Sequence, residues 1–226
     1  MKNILVIAAH PDDEVYGMGG TIARLAKEGC EVNVLIVTDG STSQYRNDPN
    51  LKDILEAKKL ETEMAKNVLG VKELYYGKLP DMRLDQTAHI NINQVIESTI
   101  NLLNPDTVFT HFWGDVNMDH RCVYQSTLVA VRPTSEQCVK ELYCYSVPSS
   151  TEWMPLTAAT AFLPNTFVDI SAYTNQKEQA ILAYKTELRE YPHPRSVEAV
   201  RLKDKSAGIN VGLPFAEEFI LLRNLK

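Results

Sequence analysis

The first half of the chain alternates short, continuous apolar runs with longer amphipathic stretches. Continuous runs of β-branched and aliphatic residues are typical of strands buried on both faces, and apolar residues spaced by three or four are typical of helices. The predicted strands are 3–9, 31–38, 72–76, 106–111 and 142–147, and the predicted helices are 19–29, 53–70, 90–103 and 120–131. Strands that alternate with helices favour a mostly parallel sheet with right-handed crossovers, the Rossmann-like doubly wound form of the α/β class.

The pattern changes after residue 147. Residues 148–164 are predicted to be irregular, 166–170 a strand, and 176–189 and 196–208 helices. We predict a single domain over 1–226, with a Rossmann-like core at 1–147 and a C-terminal cap segment at 148–226. The polar segment 39–50 is rich in turn residues and is predicted to be a functional loop.

Composition narrows the class of partner. The formal net charge of −6 and the lack of a Lys/Arg run argue against nucleic acid as a partner. The apolar runs are far shorter than the ~20 residues that cross a bilayer, so no integral membrane segment is expected. The N-terminus leaves no room for a signal peptide, and the four cysteines show no Cys-x-x-Cys spacing. These observations predict a cytoplasmic protein.

Residues that could bind a metal or act in catalysis follow two of the predicted strands. In a doubly wound sheet of order 3-2-1-4-5, the first and fourth strands are neighbours, and ligands bind beyond their carboxyl ends. The first strand ends at His10-Pro11-Asp12-Asp13-Glu14, and the fourth leads into His111, Asp115, Asp119 and His120. Three of the five histidines therefore converge with several acids at the predicted ligand site.

A catalytic metal explains this set of residues. Hydrolytic zinc sites commonly use three imidazole or carboxylate ligands and leave one position for water, and His10, Asp13 and His120 could supply them. Fe²⁺ and Co²⁺ suit the same ligands. Asp12 would then be free to take a proton from the water. A histidine at a strand end or an Asp pair can also be a cap or a solvated turn, but their joint occurrence at one switch point favours the metal.

The glycines at 17, 19 and 20 suggest a second interpretation, a dinucleotide-binding loop. The third glycine of Gly-x-Gly-x-x-Gly would fall at Ile22, and the preceding acidic run would repel a pyrophosphate. Nucleotide binding is therefore disfavoured. His89 opens a predicted helix and is expected at the surface.

The motifs carry a family resemblance over most of the chain. The pentapeptide 10–14, the segment 111–120 and the late His193-Pro194-Arg195-Ser196 resemble the PIG-L/LmbE-like zinc-dependent N-deacetylases. Leu69-Gly70-Val71 and Leu79-Pro80-Asp81 are similar to further landmarks of that family. Its members remove acetyl groups from N-acetylglucosamine-type amino sugars and are often oligomers. The resemblance therefore implies a homo-oligomer with a small amino-sugar substrate.

The resemblance also implies residue roles. His10, Asp13 and His120 would bind zinc, with Asp12 as general base and His193 as the residue that stabilises the oxyanion. Asp119 would hold a histidine or the substrate in place, and Asp81 would contact sugar hydroxyls. Further supporting or substrate-binding candidates are Asp115, His111, Lys58 and Arg195. The sequence departs from the family at 117–118, where Asn-Met replaces the usual His-Pro, and at Lys58, where arginine is common.

Three functions remain open at this point. The leading hypothesis is a hydrolase that splits an N-acetylated amino sugar or its conjugate into acetate and a free amine. A second is an amidase for a thiol conjugate or an antibiotic acyl-amide, with the same metal centre. The third is a Rossmann-like binding module with a vestigial site, which the intact set of ligand types argues against. Trp113, Trp153 and Tyr191 are candidates for stacking on a sugar ring.

Overall fold

The computed structural model describes residues 2–40, 42–43 and 45–226. The strands are β1 (Asn3–Ala8), β2 (Glu31–Thr38), β3 (Glu73–Leu79), β4 (Thr107–His111), β5 (Glu141–Tyr145), β6 (Thr166–Asp169) and β7 (Ala216–Asn224). The α-helices are α1 (Asp13–Lys27), α2 (Leu51–Leu69), α3 (His89–Leu103), α4 (Met118–Ala130), α5 (Thr174–Ala183) and α6 (Val197–Ile209). Of the predicted loop 39–50, residues 41 and 44 lie outside the described residues, and most of the others form turns.

One mixed sheet runs through the molecule in the order β3-β2-β1-β4-β5-β7-β6. Strands β1 to β5 are parallel, with Val6 opposite Val34 of β2 and Phe109 of β4. The predicted α/β class and the predicted order of the first five strands are confirmed. β7 pairs antiparallel with β5, and β6 pairs antiparallel with β7. The reversal of winding therefore lies between β1 and β4, where the sequence predicts the ligand site.

Both faces of the sheet are covered, which explains the unbroken apolar runs. Alternate side chains of β1 enter different cores: Ile4 and Val6 belong to one cluster, and Leu5 and Ile7 to the other. The first cluster includes buried residues of α1, α2 and α5, and the second includes buried residues of α3 and α4. A parallel strand buried on both faces cannot alternate apolar with polar residues.

Helix α1 begins earlier than predicted and is broken inside. It begins at Asp13 rather than at residue 19, and Met18 has non-helical backbone angles (φ −153°, ψ 26°). The N–H groups of Gly20 and Thr21 donate instead to the carboxylate of Glu217 in β7, at 3.0 and 2.6 Å. Glu217 therefore acts as an N-terminal cap for the second half of α1.

The glycines of α1 serve close packing. A Cβ on Gly17 would lie 2.5 Å from the ring of Tyr145, and one on Gly20 would lie 2.8 Å from Ile170. Both distances are too short for real contacts. The backbone of α1 can approach the sheet this closely only without side chains at these positions, which accounts for the glycines without a nucleotide.

The C-terminal segment contributes to the sheet as well as to the cap. The pattern predicted no strand at 216–224, yet β7 lies there between β5 and β6. Its Glu217 is 2% exposed and is paired with Lys177 of α5 at 2.7 Å. Helix α5 ends at Ala183 instead of residue 189, and residues 184–196 form turns that reach the carboxyl ends of the parallel strands.

Candidate active site

Three candidate metal ligands meet at the carboxyl end of β1. His10 follows β1, Asp13 begins α1, and His120 lies in the first turn of α4, which follows the neighbouring strand β4. Oδ2 of Asp13 is 3.3 Å from Nδ1 of His10, and its Oδ1 is 3.4 Å from Nε2 of His120. One ligand atom from each residue lies within 4.8 Å of the other two. The fold brings together the group selected from the sequence.

This donor set fits a tetrahedral metal ion. Two donors on one zinc, each about 2.0–2.1 Å from it, lie about 3.3 Å apart at tetrahedral angles. The separations of 3.3 and 3.4 Å around Asp13, one from each carboxylate oxygen, are close to this value, and the atoms of the whole group lie within 4.8 Å of one another. Burial opposes ionisation of Asp13, but the imidazoles of His120 and His10 hold its pKa well below the ordinary value. The carboxylate is therefore in the charged form that a cation requires.

Asp115 fixes the orientation of His120 through the ring nitrogen that does not face Asp13. Its Oδ2 is 3.1 Å from Nδ1 of His120, which leaves Nε2 to face Asp13. Asp115 also accepts hydrogen bonds from the hydroxyls of Ser150 and Thr151. Burial opposes its ionisation, but these bonds and His120 lower the pKa of Asp115 to about 2. An anion fixed in this way sets the ring orientation of a ligand histidine.

Asp119 and Asp81 hold His10 on its other nitrogen. Nε2 of His10 lies 3.2 Å from Oδ2 of Asp119 and 3.5 Å from Oδ1 of Asp81. Asp119 also accepts from the backbone N–H of Met82 at 2.7 Å, and Asp81 accepts from that of Ser43 at 3.1 Å. These bonds tie the loop after β2 and the turn after β3 to His10. His10, Asp81 and Asp119 form a second group with the spacing of metal ligands.

His111 is buried beneath the site. Its Nε2 accepts from the backbone N–H of Ala9 at 2.8 Å, and its ring stacks on that of His120 with centroids 4.0 Å apart. Burial and the neighbouring His120 keep its pKa well below the ordinary value, so the ring is neutral. Because Nε2 already accepts a hydrogen bond, the proton of the neutral ring is on Nδ1, and His111 supports His120 by stacking instead of joining the ligand group.

Asp12 faces the other way from its neighbour Asp13. Its backbone is left-handed (φ 116°), and both of its carboxylate oxygens lie 3.0 Å from Nη2 of Arg195. Burial raises the pKa of Asp12 to about 7, although the guanidinium of Arg195 draws it down. The two adjacent aspartates therefore occupy different electrostatic surroundings within one cavity, as their separate predicted roles require.

A buried chain of charges extends behind Arg195. Nη1 of Arg195 lies 3.1 Å from Glu187, and Glu187 accepts from the ammonium of Lys58. The side chain of Lys58 is only 3% exposed, so it supports Glu187 and is not free to grip a ligand in the cavity. Of the two predicted roles for Lys58, the geometry favours support over substrate contact.

The groups surround a cavity of about 210 Å³. It is lined by His10, Pro11, Asp12, Asp13, Gly40, Asp81, Met82, Asn117, His120, Val147, Pro148, Ser149, Ser150, Glu187 and Arg195. His193 does not line it in the single chain. Nδ1 of His193 accepts from the backbone N–H of Arg195 at 3.1 Å, and its ring meets the edge of Trp153. The remaining nitrogen, Nε2, is the one left to donate.

The aromatic candidates lie away from the cavity lining. Trp113 donates from Nε1 to the carbonyl of Ala159 and packs against Phe112, so its role is structural. Trp153 and Tyr191 are more than half exposed and lie outside the cavity. His89 is exposed at the start of α3, as predicted.

Four residues of the site were not selected from the sequence. Glu187, Ser150 and Thr151 contact predicted site residues, and Asn117 lines the cavity while its Oδ1 caps α4 through the N–H of Asp119. Asn117 lies three residues before His120 and could have been found by its position before a helix. The others lie in irregular segments, where no local pattern marks them.

Comparison with known proteins places this site in a family. The sequence profile of the PIG-L family, described as GlcNAc-PI de-N-acetylase, matches residues 5–131. The match covers more than half of the 226 residues, and the chain belongs to the PIG-L family. It is accordingly an enzyme of the deacetylase class, which confirms the predicted resemblance.

Relatives span most of the chain. Uncharacterized deacetylase YaiS from Escherichia coli is 26% identical over 194 residues, 82% of this chain and 91% of the relative. Probable N-acetyl-alpha-D-glucosaminyl L-malate deacetylase 2 from Bacillus anthracis is 22% identical over 187 residues, 81% of this chain and 80% of the relative. The crystal structure of the conserved protein TT1542 from Thermus thermophilus superimposes with a TM-score of 0.79 at 26% identity, covering 100% of this chain and 97% of that one.

None of the helices in the described part of the chain combines the length and the apolar character needed to cross a membrane.

Proposed function

We propose that the protein hydrolyses the acetamide of an N-acetylated amino sugar of the N-acetylglucosamine type, free or conjugated, with Zn²⁺ held by His10, Asp13 and His120. One observation carries the proposal: Asp13 is bracketed by two imidazoles while the adjacent Asp12 faces the same cavity without joining them. Ligands and a separate carboxylate base are the parts that metal-assisted amide hydrolysis needs.

A zinc ion in this site would polarise the acetamide carbonyl and lower the pKa of a water molecule. Asp12 accepts a proton from the attacking water at a carboxylate oxygen. When the C–N bond breaks, Asp12 returns that proton to the amine nitrogen, and the products are acetate and a free amine. Arg195 holds the Asp12 carboxylate through both oxygens and keeps it directed into the cavity.

The supporting residues have separate roles in this proposal. His193, which does not line the cavity of the single chain, donates from Nε2 to the developing oxyanion in its own or an adjacent subunit, since its Nδ1 is already an acceptor. Burial and two neighbouring arginines lower the pKa of His193, which keeps the ring neutral with one N–H. Asp119 and Asp115 position the ligand histidines. Asp81, at the cavity wall, accepts a hydrogen bond from a hydroxyl of the sugar. The homo-oligomeric state and the cytoplasmic location stay predictions.

The names of the relatives support the substrate class. The family description and the relative from Bacillus anthracis both concern N-acetylglucosamine linked to a second group.

The test combines metal content with acetate release from a panel of N-acetylated sugars and their conjugates. We expect Asp12→Asn to keep its zinc and lose about 10²–10⁴-fold in turnover, because an amide cannot accept the proton. Asp13→Asn should lose the zinc. The exposed Asp85→Asn serves as the matched control and should change neither. Wild-type turnover in Asp12→Asn, or full zinc in Asp13→Asn, would contradict the assignment.

A further inference from the structure

Glu14 is the last residue of the pentapeptide 10–14, and the proposed function gives it no role. It lies in the first turn of α1 and is 3% exposed. A buried carboxyl group costs free energy unless hydrogen bonds replace its contacts with water. The partners of its two oxygens therefore indicate what the residue does.

Both carboxyl oxygens of Glu14 have a partner. Oε2 accepts a hydrogen bond from the backbone N–H of Asp12 at 3.2 Å, and Oε1 accepts one from the hydroxyl of Tyr184 at 3.1 Å. Tyr184 directly follows α5 and is fully buried. The side chain of Glu14 therefore joins the C-terminal segment to the backbone of the residue proposed as the base.

The backbone of Asp12 has a conformation that needs support from its surroundings. Its angles (φ 116°, ψ −25°) lie in a left-handed region that residues with a side chain rarely adopt. On the carbonyl side, its oxygen accepts from the N–H groups of Val15 and Tyr16 at 2.9 and 3.0 Å. On the amide side, its N–H donates to Glu14. Because the backbone nitrogen and carbonyl carbon fix the direction of the Cα–Cβ bond, these contacts together direct the side chain.

The contact with Arg195 does not replace this backbone support. Both carboxylate oxygens of Asp12 lie 3.0 Å from a single nitrogen, Nη2 of Arg195. A carboxylate held by one nitrogen can turn about it, whereas a pair with two parallel hydrogen bonds from two nitrogens fixes the geometry. The orientation of the Asp12 carboxylate in the cavity therefore depends on its backbone as well.

We propose that Glu14 is a positioning residue for the proton transfer at Asp12: by accepting the Asp12 N–H, it keeps that backbone left-handed and the carboxylate directed into the active-site cavity. Tyr184 holds Glu14 in place for this contact. The inference rests on the proposed function and adds to it a residue that acts through the base without touching the substrate.

The test is a double-mutant cycle between Glu14 and Asp12, measured by acetate release from N-acetylglucosamine conjugates. We expect Glu14→Ala to lower kcat about 10²-fold, the cost of moving a catalytic group by ~1 Å, with unchanged KM and zinc content. In an Asp12→Asn background the same change should lower kcat less than about 3-fold, because no base is left to position. An equal loss in both backgrounds would make Glu14 a merely structural residue and overturn the proposal.

Two further variants separate the hydrogen bond from the bulk of the side chain. Burial raises the pKa of Glu14 to about 8, so the neutral glutamine is a close match near pH 7. Glu14→Gln keeps an acceptor for the Asp12 N–H and should restore kcat to within about 3-fold of the wild type. Tyr184→Phe frees Oε1 and should lower kcat about 10-fold, again only when Asp12 is present. If Glu14→Ala does not fold, the cycle with Tyr184→Phe decides by the same criterion.

The control is Glu198→Ala, which removes an exposed acid from the first turn of another helix, α6. It should change neither kcat nor zinc content.

Hydrogen exchange at the Asp12 amide tests the contact without any substrate. We expect Glu14→Ala to speed this exchange at least about 10-fold, because the N–H loses its acceptor, and Glu198→Ala to leave it unchanged. If the wild type releases no acetate but Glu14→Ala still speeds the exchange, the deacetylase proposal fails and the positioning contact stands. If the wild type releases acetate and Glu14→Ala keeps both kcat and slow exchange, the positioning role fails and the deacetylase proposal stands.

Discussion

Removing the carboxylate of Glu217 should destabilise the protein strongly, although the residue lies nine positions from the end of the chain. In Glu217→Ala the N–H groups of Gly20 and Thr21 lose their acceptor inside the molecule. Each buried N–H without a partner costs about 1–3 kcal/mol, which gives about 2–6 kcal/mol for the pair. Lys177 keeps two hydrogen bonds to Asp204, so its charge is not left alone.

The measurement is urea unfolding followed by circular dichroism. The expected loss is a large part of the 5–15 kcal/mol typical of a folded domain, and it should lower Tm by roughly 10 °C. Glu217→Gln keeps one acceptor and should lose about half as much. Glu218→Ala, the less buried neighbour, is the control. If the free energies of unfolding of Glu217→Ala and Glu218→Ala differ by less than about 1 kcal/mol, the second half of α1 is not held by this cap.

Three further outcomes are expected. His193→Ala should lower turnover about 10²–10³-fold with unchanged zinc content; normal turnover with lower thermal stability would make residues 192–194 a structural turn. Zinc added to chelator-treated protein at 100 times its Kd should stabilise the fold by about 2.7 kcal/mol in a thermal melt, and an equal shift in Asp13→Ala would contradict the ligand set. Gly17→Ala should cost about 1–3 kcal/mol in urea unfolding, because its Cβ would lie 2.5 Å from the ring of Tyr145; an unchanged midpoint would show that α1 can shift freely.

Much of the fold follows from the sequence because its signals are local. The runs 4–9 and 34–37 are apolar without alternation, as a strand covered on both faces requires. The position of His10 and Asp13 directly after one such run, and of His120 after another, placed them at the reversal of winding. No knowledge of side-chain contacts was needed for either step.

The parts that the sequence did not predict depend on distant partners. Glu217 interrupts the apolar pattern of β7, and it is buried only because Lys177 and two N–H groups of α1 meet it there. The link from Lys58 through Glu187 to Arg195 joins α2 to turns more than 120 residues later, and no periodicity reports such a pairing. The sequence pattern does not show whether a polar side chain will form its hydrogen bonds with water or with a distant residue.

The left-handed backbone of Asp12 limits which residues position 12 can tolerate. At φ 116° glycine, asparagine and aspartate are the residues that fit at low cost. The proposed proton transfer independently requires a carboxylate, which glycine and asparagine lack. Glutamate has the carboxylate, but its longer side chain does not relieve the backbone as the short Asp and Asn side chains do. A library randomised at this position and selected for folding should therefore return three residues, and one selected for turnover should return aspartate alone.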